Sequence, residues 1–332
     1  MVIDTAPPGA PSIDSALGNV SNAPSTLTNG CSTQSTEPVF SGKGEAGATI
    51  KLYVDGGTSP IGTATVDSNG NWSITPDAPL LSGTHVFTTT ATDAAGNTGM
   101  PSSGFTLSVY ATPPAQPVAP IVTDDVPPVV GNVAPGGSTN DTTPTFSGTG
   151  VAGSTIDIYN NGNILIGSTT VRSDGTWSFT PSTPLGEATY NITVLVTDPA
   201  GNISVPSIPI AITVDTTAPA APTIDAADDS VGAVTGPLGS GSVTDDVSPV
   251  FRGTGVTGET VTLYNGTTVI GTATVDGSGN WAITPTTPLV NGVYNLTAVQ
   301  TDAAGNASGP SSTFVLTVDA TPADAAGGYR DH

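Results

Sequence analysis

The residues with the most chemistry to offer are carboxylates. The chain has 27 acidic side chains against five basic ones, a formal net charge of −22. Twenty-three of the acids are Asp and four are Glu (Glu37, Glu45, Glu187 and Glu259). An acidic face that served solubility alone would mix both acids with lysine. Asp instead favours turns, and its short carboxylate suits a hard cation held between loops. Three acidic features recur. The first is an aspartate ahead of a Thr/Ala/Pro run: Asp4, Asp215 and Asp319, with Tyr110 standing in one such place. The second is the string Thr92-Asp93-Ala94-Ala95-Gly96-Asn97, which returns with Asp198 and Asn202 and again with Asp302 and Asn306. The third is a set of adjacent pairs, Asp124-Asp125, Asp228-Asp229 and Asp245-Asp246, with Asn140-Asp141 at a place like the last.

Several carboxylates brought together repel one another unless a cation sits among them. Ca2+ takes six to eight oxygens at roughly 2.3–2.6 Å from carboxylates, amides and backbone carbonyls. Those are the atoms these segments offer. Mg2+ demands a tighter octahedron, and zinc would find only Cys31, His85 and His332 as soft ligands. No EF-hand loop and no Gly-Gly-x-Gly-x-Asp nonapeptide is present. The plainer reading of the Asp-Ala-Ala-Gly-Asn string is a tight turn, with Asp and Asn capping backbone groups and Gly at positive φ. The adjacent pairs are harder to explain as caps, and ligation is favoured there.

The elements that position these groups come in three copies. Trp72, Trp177 and Trp281 lie 105 and 104 residues apart, each inside a Val-x-x-x-Gly-x-Trp-x-x-Thr-Pro stretch. Each stretch reads as a strand, an Asp/Gly/Asn turn and a second strand closed by Pro. A period near 105 residues is too long for a solenoid unit and fits one small domain. The expected boundaries are 1–109, 110–214 and 215–322, with a disordered tail over 323–332. Gly (41) and Pro (30) abound, pointing to short strands and many turns. Alternating strands such as Thr49-Ile50-Lys51-Leu52-Tyr53-Val54, about seven per copy, predict three all-β, immunoglobulin-like antiparallel sandwiches with the tryptophans in their cores. Short Pro-containing linkers are stiff, so the domains should sit end to end as an extended rod. In such a sandwich alternate turns share an end, which gathers the linker Asp, the hairpin Asp276 and the loop from Asp302 to Asn306 at the domain entrance. The Asp pairs fall at the opposite end.

Composition excludes several classes. With five basic residues there is no patch to neutralise phosphates, so no nucleic-acid partner is expected. No apolar run approaches the ~20 residues of a membrane span. The opening Met-Val-Ile-Asp has neither the basic nor the apolar region of a signal peptide. A lone cysteine excludes an intrachain disulfide. Two histidines supply no triad, and adjacent acids are not the opposed pair of a glycosidase, so no enzyme is expected. The alternative function is a glycan-binding module built on Tyr53, Tyr159 and Tyr264.

The Thr-Asp-Ala-Ala-Gly-Asn string, the Asp-Gly-x-Gly-Asn-Trp hairpin with its Thr-Pro-x-x-Pro-Leu sequel and the Asp-Thr-Thr-Ala-Pro linker resemble bacterial Ig-like repeats of giant, type I-secreted surface adhesins of the SiiE/BapA type. The resemblance runs over all three copies. It implies a secreted, cell-surface protein in which Ca2+ at and near the junctions stiffens a stalk, whose far end attaches to host cells, a glycan receptor or biofilm partners. It also implies a monomer that contacts neighbouring Ig-like repeats, with a role in adhesion and virulence. On this chain the implied Ca2+ ligands are Asp215, Asp302, Asp228, Asp229, Asp245 and Asp246. Asn306, Asp276, Asp124, Asp125, Asp141, Asp198, Asp4 and Asp93 complete the candidate set. Tyr110 departs from the pattern, which weakens the first junction as a calcium site. The first copy also lacks the Asp pairs and diverges over 19–35.

Overall fold

The computed structural model describes residues 4–233 and 235–321. The expected disordered tail lies outside the described residues. Among those described there are 27 strands and no helix, and therefore no helix long and apolar enough to cross a membrane.

The first repeat contributes β1 (Ser15–Val20), β2 (Ala23–Leu27), β3 (Cys31–Thr33), β4 (Val39–Lys43), β5 (Thr49–Val54), β6 (Gly62–Thr65), β7 (Asn71–Ile74), β8 (Gly83–Thr92) and β9 (Phe105–Val109). The second contributes β10 (Ile121–Asp124), β11 (Gly131–Val133), β12 (Ser138–Thr139), β13 (Thr145–Thr149), β14 (Thr155–Asn160), β15 (Ile164–Thr170), β16 (Thr176–Phe179), β17 (Ala188–Thr197) and β18 (Ile210–Val214). The third contributes β19 (Ala226–Asp229), β20 (Gly236–Leu238), β21 (Ser242–Thr244), β22 (Val250–Thr254), β23 (Thr260–Asn265), β24 (Thr268–Thr274), β25 (Asn280–Ile283), β26 (Gly292–Thr301) and β27 (Phe314–Val318). Nine strands per repeat replace the expected seven, because the passage after each linker, which reads as irregular, holds three short strands.

In the first repeat one sheet runs β2-β1-β4-β7 and the other β3-β9-β8-β5-β6. The third repeat matches it, with β20-β19-β22-β25 and β21-β27-β26-β23-β24. The second repeats the same pairings, with β13 on β16, β14 between β15 and β17, and β10 on β11. Six sheets thus make three immunoglobulin-like sandwiches, antiparallel apart from one feature. The last strand of each repeat pairs in parallel with a short early strand: Cys31↔Leu107 to Thr33↔Val109, Ser138↔Thr213 and Thr139↔Val214, and Ser242↔Leu316 to Thr244↔Val318.

Alternation puts one face of each strand inside. Phe40, Ile50, Leu52, Trp72, Phe87 and Leu107 build the first core, and Phe251, Val261, Leu263, Trp281, Leu296 and Leu316 the third. Phe146, Ile156, Ile158, Trp177 and Ile192 are buried in the second. The three tryptophans are each 3 % exposed, and their indole N–H groups donate to the carbonyls of Lys43, Thr149 and Thr254. Room for each ring comes from a glycine on the facing strand. A Cβ at Gly42, Gly148 or Gly253 would lie 2.6–2.8 Å from the indole.

Packing divides the chain into two compact units whose boundary cuts through the second repeat. Residues 1–121, 146–180 and 191–210 belong to one, and 122–145, 181–190 and 211–332 to the other. The linker at Tyr110 lies within the first unit and the linker at Asp215 within the second.

Candidate functional site

Each repeated loop builds a turn around its aspartate. Asp302 Oδ1 accepts the amides of Ala304 (2.8 Å) and Asn306 (2.9 Å), and Oδ2 accepts the Asn306 carboxamide (2.9 Å). Gly305 takes φ +99°, which an L side chain rarely adopts. Asp198 with Asn202 and Asp93 with Asn97 repeat the arrangement. The aspartate thereby aims the asparagine outward, and its Nδ2 donates to a linker carbonyl. Asn306 reaches Asp215 O at 2.8 Å, Asn202 reaches Tyr110 O at 2.9 Å and Asn97 reaches Asp4 O at 3.1 Å.

The same linker peptide groups are held from the other side. The amide of Ala111 donates to Ser82 Oγ (3.1 Å), that of Thr216 to Glu187 Oε1 (3.0 Å) and that of Ala320 to Asn291 Oδ1 (3.0 Å). At residues 110–111 and 215–216 one peptide plane is therefore gripped by the preceding repeat through its N–H and by the following repeat through its C=O. Glu187 adds bonds from the Thr216 and Thr217 hydroxyls, and these donors hold its carboxyl below the usual range. Sequence reasoning missed Ser82, Glu187 and Asn291. They share no residue type, only the place immediately before the ten-residue strands β8, β17 and β26. Backbone contacts extend each junction. Ser21 N donates to Ala200 O (2.9 Å) in the first unit and Asn140 N to Ala304 O (3.1 Å) in the second, and the Gln34 side chain adds a bond from its Nε2 to Asn202 Oδ1 (2.9 Å).

Near the linker of the second unit one carboxyl feels the charge of two others. Glu259, in the turn before β23, has its carboxyl raised by burial first and then by the charges of Asp302 and Asp215. Its Oε2 is buried with no hydrogen-bond partner. Glu259 was not a candidate, although laying the copies over one another shows it where the others have Ala48 and Ser154. The corresponding place in the first unit is a hollow of about 200 Å3 lined by Tyr110, Pro113, Val151, Ser154 and Asp198, with a single carboxylate.

The remaining candidates are more dispersed. Asp276 caps its own hairpin, accepting the amides of Ser278 and Asn280 at 2.8 and 2.9 Å, which holds its carboxyl low. Asp4 is exposed, and its carboxylate accepts Ala6 N. In each adjacent pair one member is buried and the other is not. Asp124 and Asp229 occupy the same register, opposite Gly131 and Gly236, and are 3 % and 5 % exposed. The Thr139 and Thr244 hydroxyls donate to their Oδ2 atoms, and the amides of Val126 and Val231 to Oδ1. Buried Asp141 and Asp246 accept the amides of Thr143 and Ser248 in the same way. Asp125 and Asp245 are exposed, and Asp228 forms an ion pair with Arg252. Among the described residues no three Asp, Glu, His or Cys side chains are gathered so as to hold a metal as they stand. Tyr53, Tyr159 and Tyr264, the aromatics of the alternative reading, are half-buried strand residues.

The chain is 30 % identical over 269 residues to Exoglucanase B of Cellulomonas fimi, a match covering 79 % of this chain. It spans only 22 % of that enzyme's length. Among solved structures it is similar to a 1.5-MDa bacterial ice-binding adhesin (20 % identity, 95 % of this chain and all of that one, TM-score 0.31). It is also similar to fibronectin(III)-like modules of Clostridium thermocellum CbhA (18 % identity, 64 % of this chain and all of that one, TM-score 0.36). The profile of the bacterial Ig-like domain matches residues 10–109, 131–216 and 218–320. Three times over, and across nearly its whole length, the chain belongs to the bacterial Ig-like domain family.

Proposed function

We propose that this is a non-enzymatic segment of a giant, secreted bacterial surface adhesin, with domains at 1–109, 110–214 and 215–322, in which Ca2+ at the domain junctions stiffens a rod that carries attachment to host cells, glycan receptors or biofilm partners. The observation that supports the calcium reading is the buried, unpartnered Oε2 of Glu259, whose carboxyl is raised by burial and then by the charges of Asp302 and Asp215. A hard dication would find only oxygen donors there and would offset three like charges. Asp215 belongs to the linker and the other two to the third repeat, so a shared ion would tie the linker to that repeat. Asp302 and Asp215 already hold hydrogen-bond donors, as do Asp276, Asp198, Asp93 and the buried Asp124, Asp141, Asp229 and Asp246. Their part in ligation would require exchanging those donors for the ion. The first junction, with Tyr110 and Ser154 in place of Asp215 and Glu259, is held by protein hydrogen bonds alone.

Thermal unfolding in millimolar CaCl2, in MgCl2 and in EDTA tests this. Binding to the folded state alone adds about 2.7 kcal/mol at a hundredfold excess over Kd. A rise specific to Ca2+ and lost in Asp302→Asn is expected. Equal melting in all three solutions would leave the aspartates as turn caps and the chain as an acidic spacer.

A further inference from the structure

His85, on β8 of the first repeat, faces two acceptors at once. Its Nδ1 lies 2.7 Å from Asp55 Oδ2 and its Nε2 lies 2.9 Å from the Leu81 carbonyl. An ionised carboxylate and a carbonyl both only accept, so both contacts are hydrogen bonds only when both ring nitrogens carry protons. A neutral ring of either tautomer points one lone pair at an acceptor. The side chain is 16 % exposed, so water offers little substitute.

The other two repeats solve the same problem without charge. Tyr190 OH donates to Gly186 O and Tyr294 OH donates to Val290 O, each at 3.0 Å, in the place of the bond from His85 to Leu81. Asn160 and Asn265 stand where the first repeat has Asp55, accepting the amides of Asn191 and Asn295 as Asp55 accepts that of Val86. Both members have changed together, from a neutral Asn and Tyr to a charged Asp and His. We propose that His85 and Asp55 form a pH-operated latch, in which the imidazolium ties the loop 77–82 to the body of the first repeat and releases one of its two bonds on deprotonation.

The loop so held forms one wall of a largely apolar hollow of about 420 Å3, lined by Val54, Ile61, Pro79, Leu80 and Leu81 with Asp55, Asp77 and His85 at its polar side. Asp55 and Asp77 are the other titratable groups around it, no Lys, Arg or Glu lines it among the described residues, and the Phe87 ring lies tilted at 56° with its centroid 6.2 Å from that of the imidazole. Burial opposes the charge on His85, but the Asp55 and Leu81 bonds outweigh it and its titration is raised. The latch is therefore complete below about pH 6.5, the ordinary histidine value, and weakens as pH rises through the higher folded value.

The test uses the full chain with His332→Gln, which leaves one histidine signal. Ring 15N and 1H shifts are followed from pH 5 to 9, with amide exchange over 77–83 corrected for its intrinsic pH dependence. We expect titration above that of a histidine peptide, lowered in Asp55→Asn, and protection of the loop falling about two- to tenfold as the ring loses its proton. The double variant Asp55→Asn/His85→Tyr, which restores the pair of the other repeats, should hold the loop equally at both pH limits. Titration at or below the peptide value, or a fall in protection that persists in the double variant, would overturn the latch.

Discussion

At the scale of single residues, Glu259 is the most informative side chain. It sits where two sister repeats have Ala48 and Ser154, it feels the charges of Asp302 and Asp215, and one of its oxygens is unpartnered. A carboxyl whose titration is raised on folding costs stability above its ordinary pKa, and the cost grows as pH climbs from that value through the folded one. Glu259→Gln should therefore raise the melting temperature in EDTA at pH 7 and leave it unchanged near pH 3. The same variant should blunt any gain from Ca2+. Melting curves at the two pH values, with and without the ion, check both signs, and a loss of stability in EDTA would show that the charge is already compensated. The loop aspartates were legible in the sequence because the string around them repeats. Their partner was not, since a single Glu in one copy of three breaks the repetition that made the others visible. Asp93, Asp198 and Asp302 also show why residue type alone leaves the chemistry open, as each spends its oxygens on the turn that aims the neighbouring asparagine.

At the scale of elements, the Trp hairpins and the alternating strands β5, β14 and β23 were readable because period-two burial is a local property. The strands β1 to β3 and their equivalents were not. They are short and rich in Gly, Pro and Ser, and β3 finds its partner β9 more than 70 residues away, pairing Cys31 with Leu107. Nothing near Cys31 announces that pairing. The linker clasp escaped for a related reason, because Ser82, Glu187 and Asn291 agree in position and not in type. Glu187 accepts three donors from two linker residues, and its carboxyl is held low by them. That contribution is present above the ordinary glutamate pKa and is lost as pH falls through the lower folded value. Glu187→Ala should speed amide exchange at Thr216 and Thr217 about two- to tenfold with little change in the melting of the repeats. A drop of several degrees in melting temperature would move the role of Glu187 from the linker to the core.

At the scale of the whole molecule, a formal charge of −22 with five basic residues makes the folded chain repel itself. Raising NaCl from 20 to 300 mM shortens the Debye length from roughly 20 to 6 Å and should raise the melting temperature. Ca2+ at matched ionic strength should add a further increment if ions are held at the junction. Equal gains from both salts would reduce the ion to a screening charge. The parallel pairing of β9 with β3, repeated as β18 with β12 and β27 with β21, has a mechanical consequence. In the first repeat Val109 pairs with Gly83 at the start of β8, while the loop that holds the Asp4 carbonyl follows the end of β8. The chain thus enters and leaves that repeat at opposite ends of its sheet. Tension on the backbone would pull β9 lengthwise along β3, loading their rungs in shear, so that they must rupture together and not unzip singly.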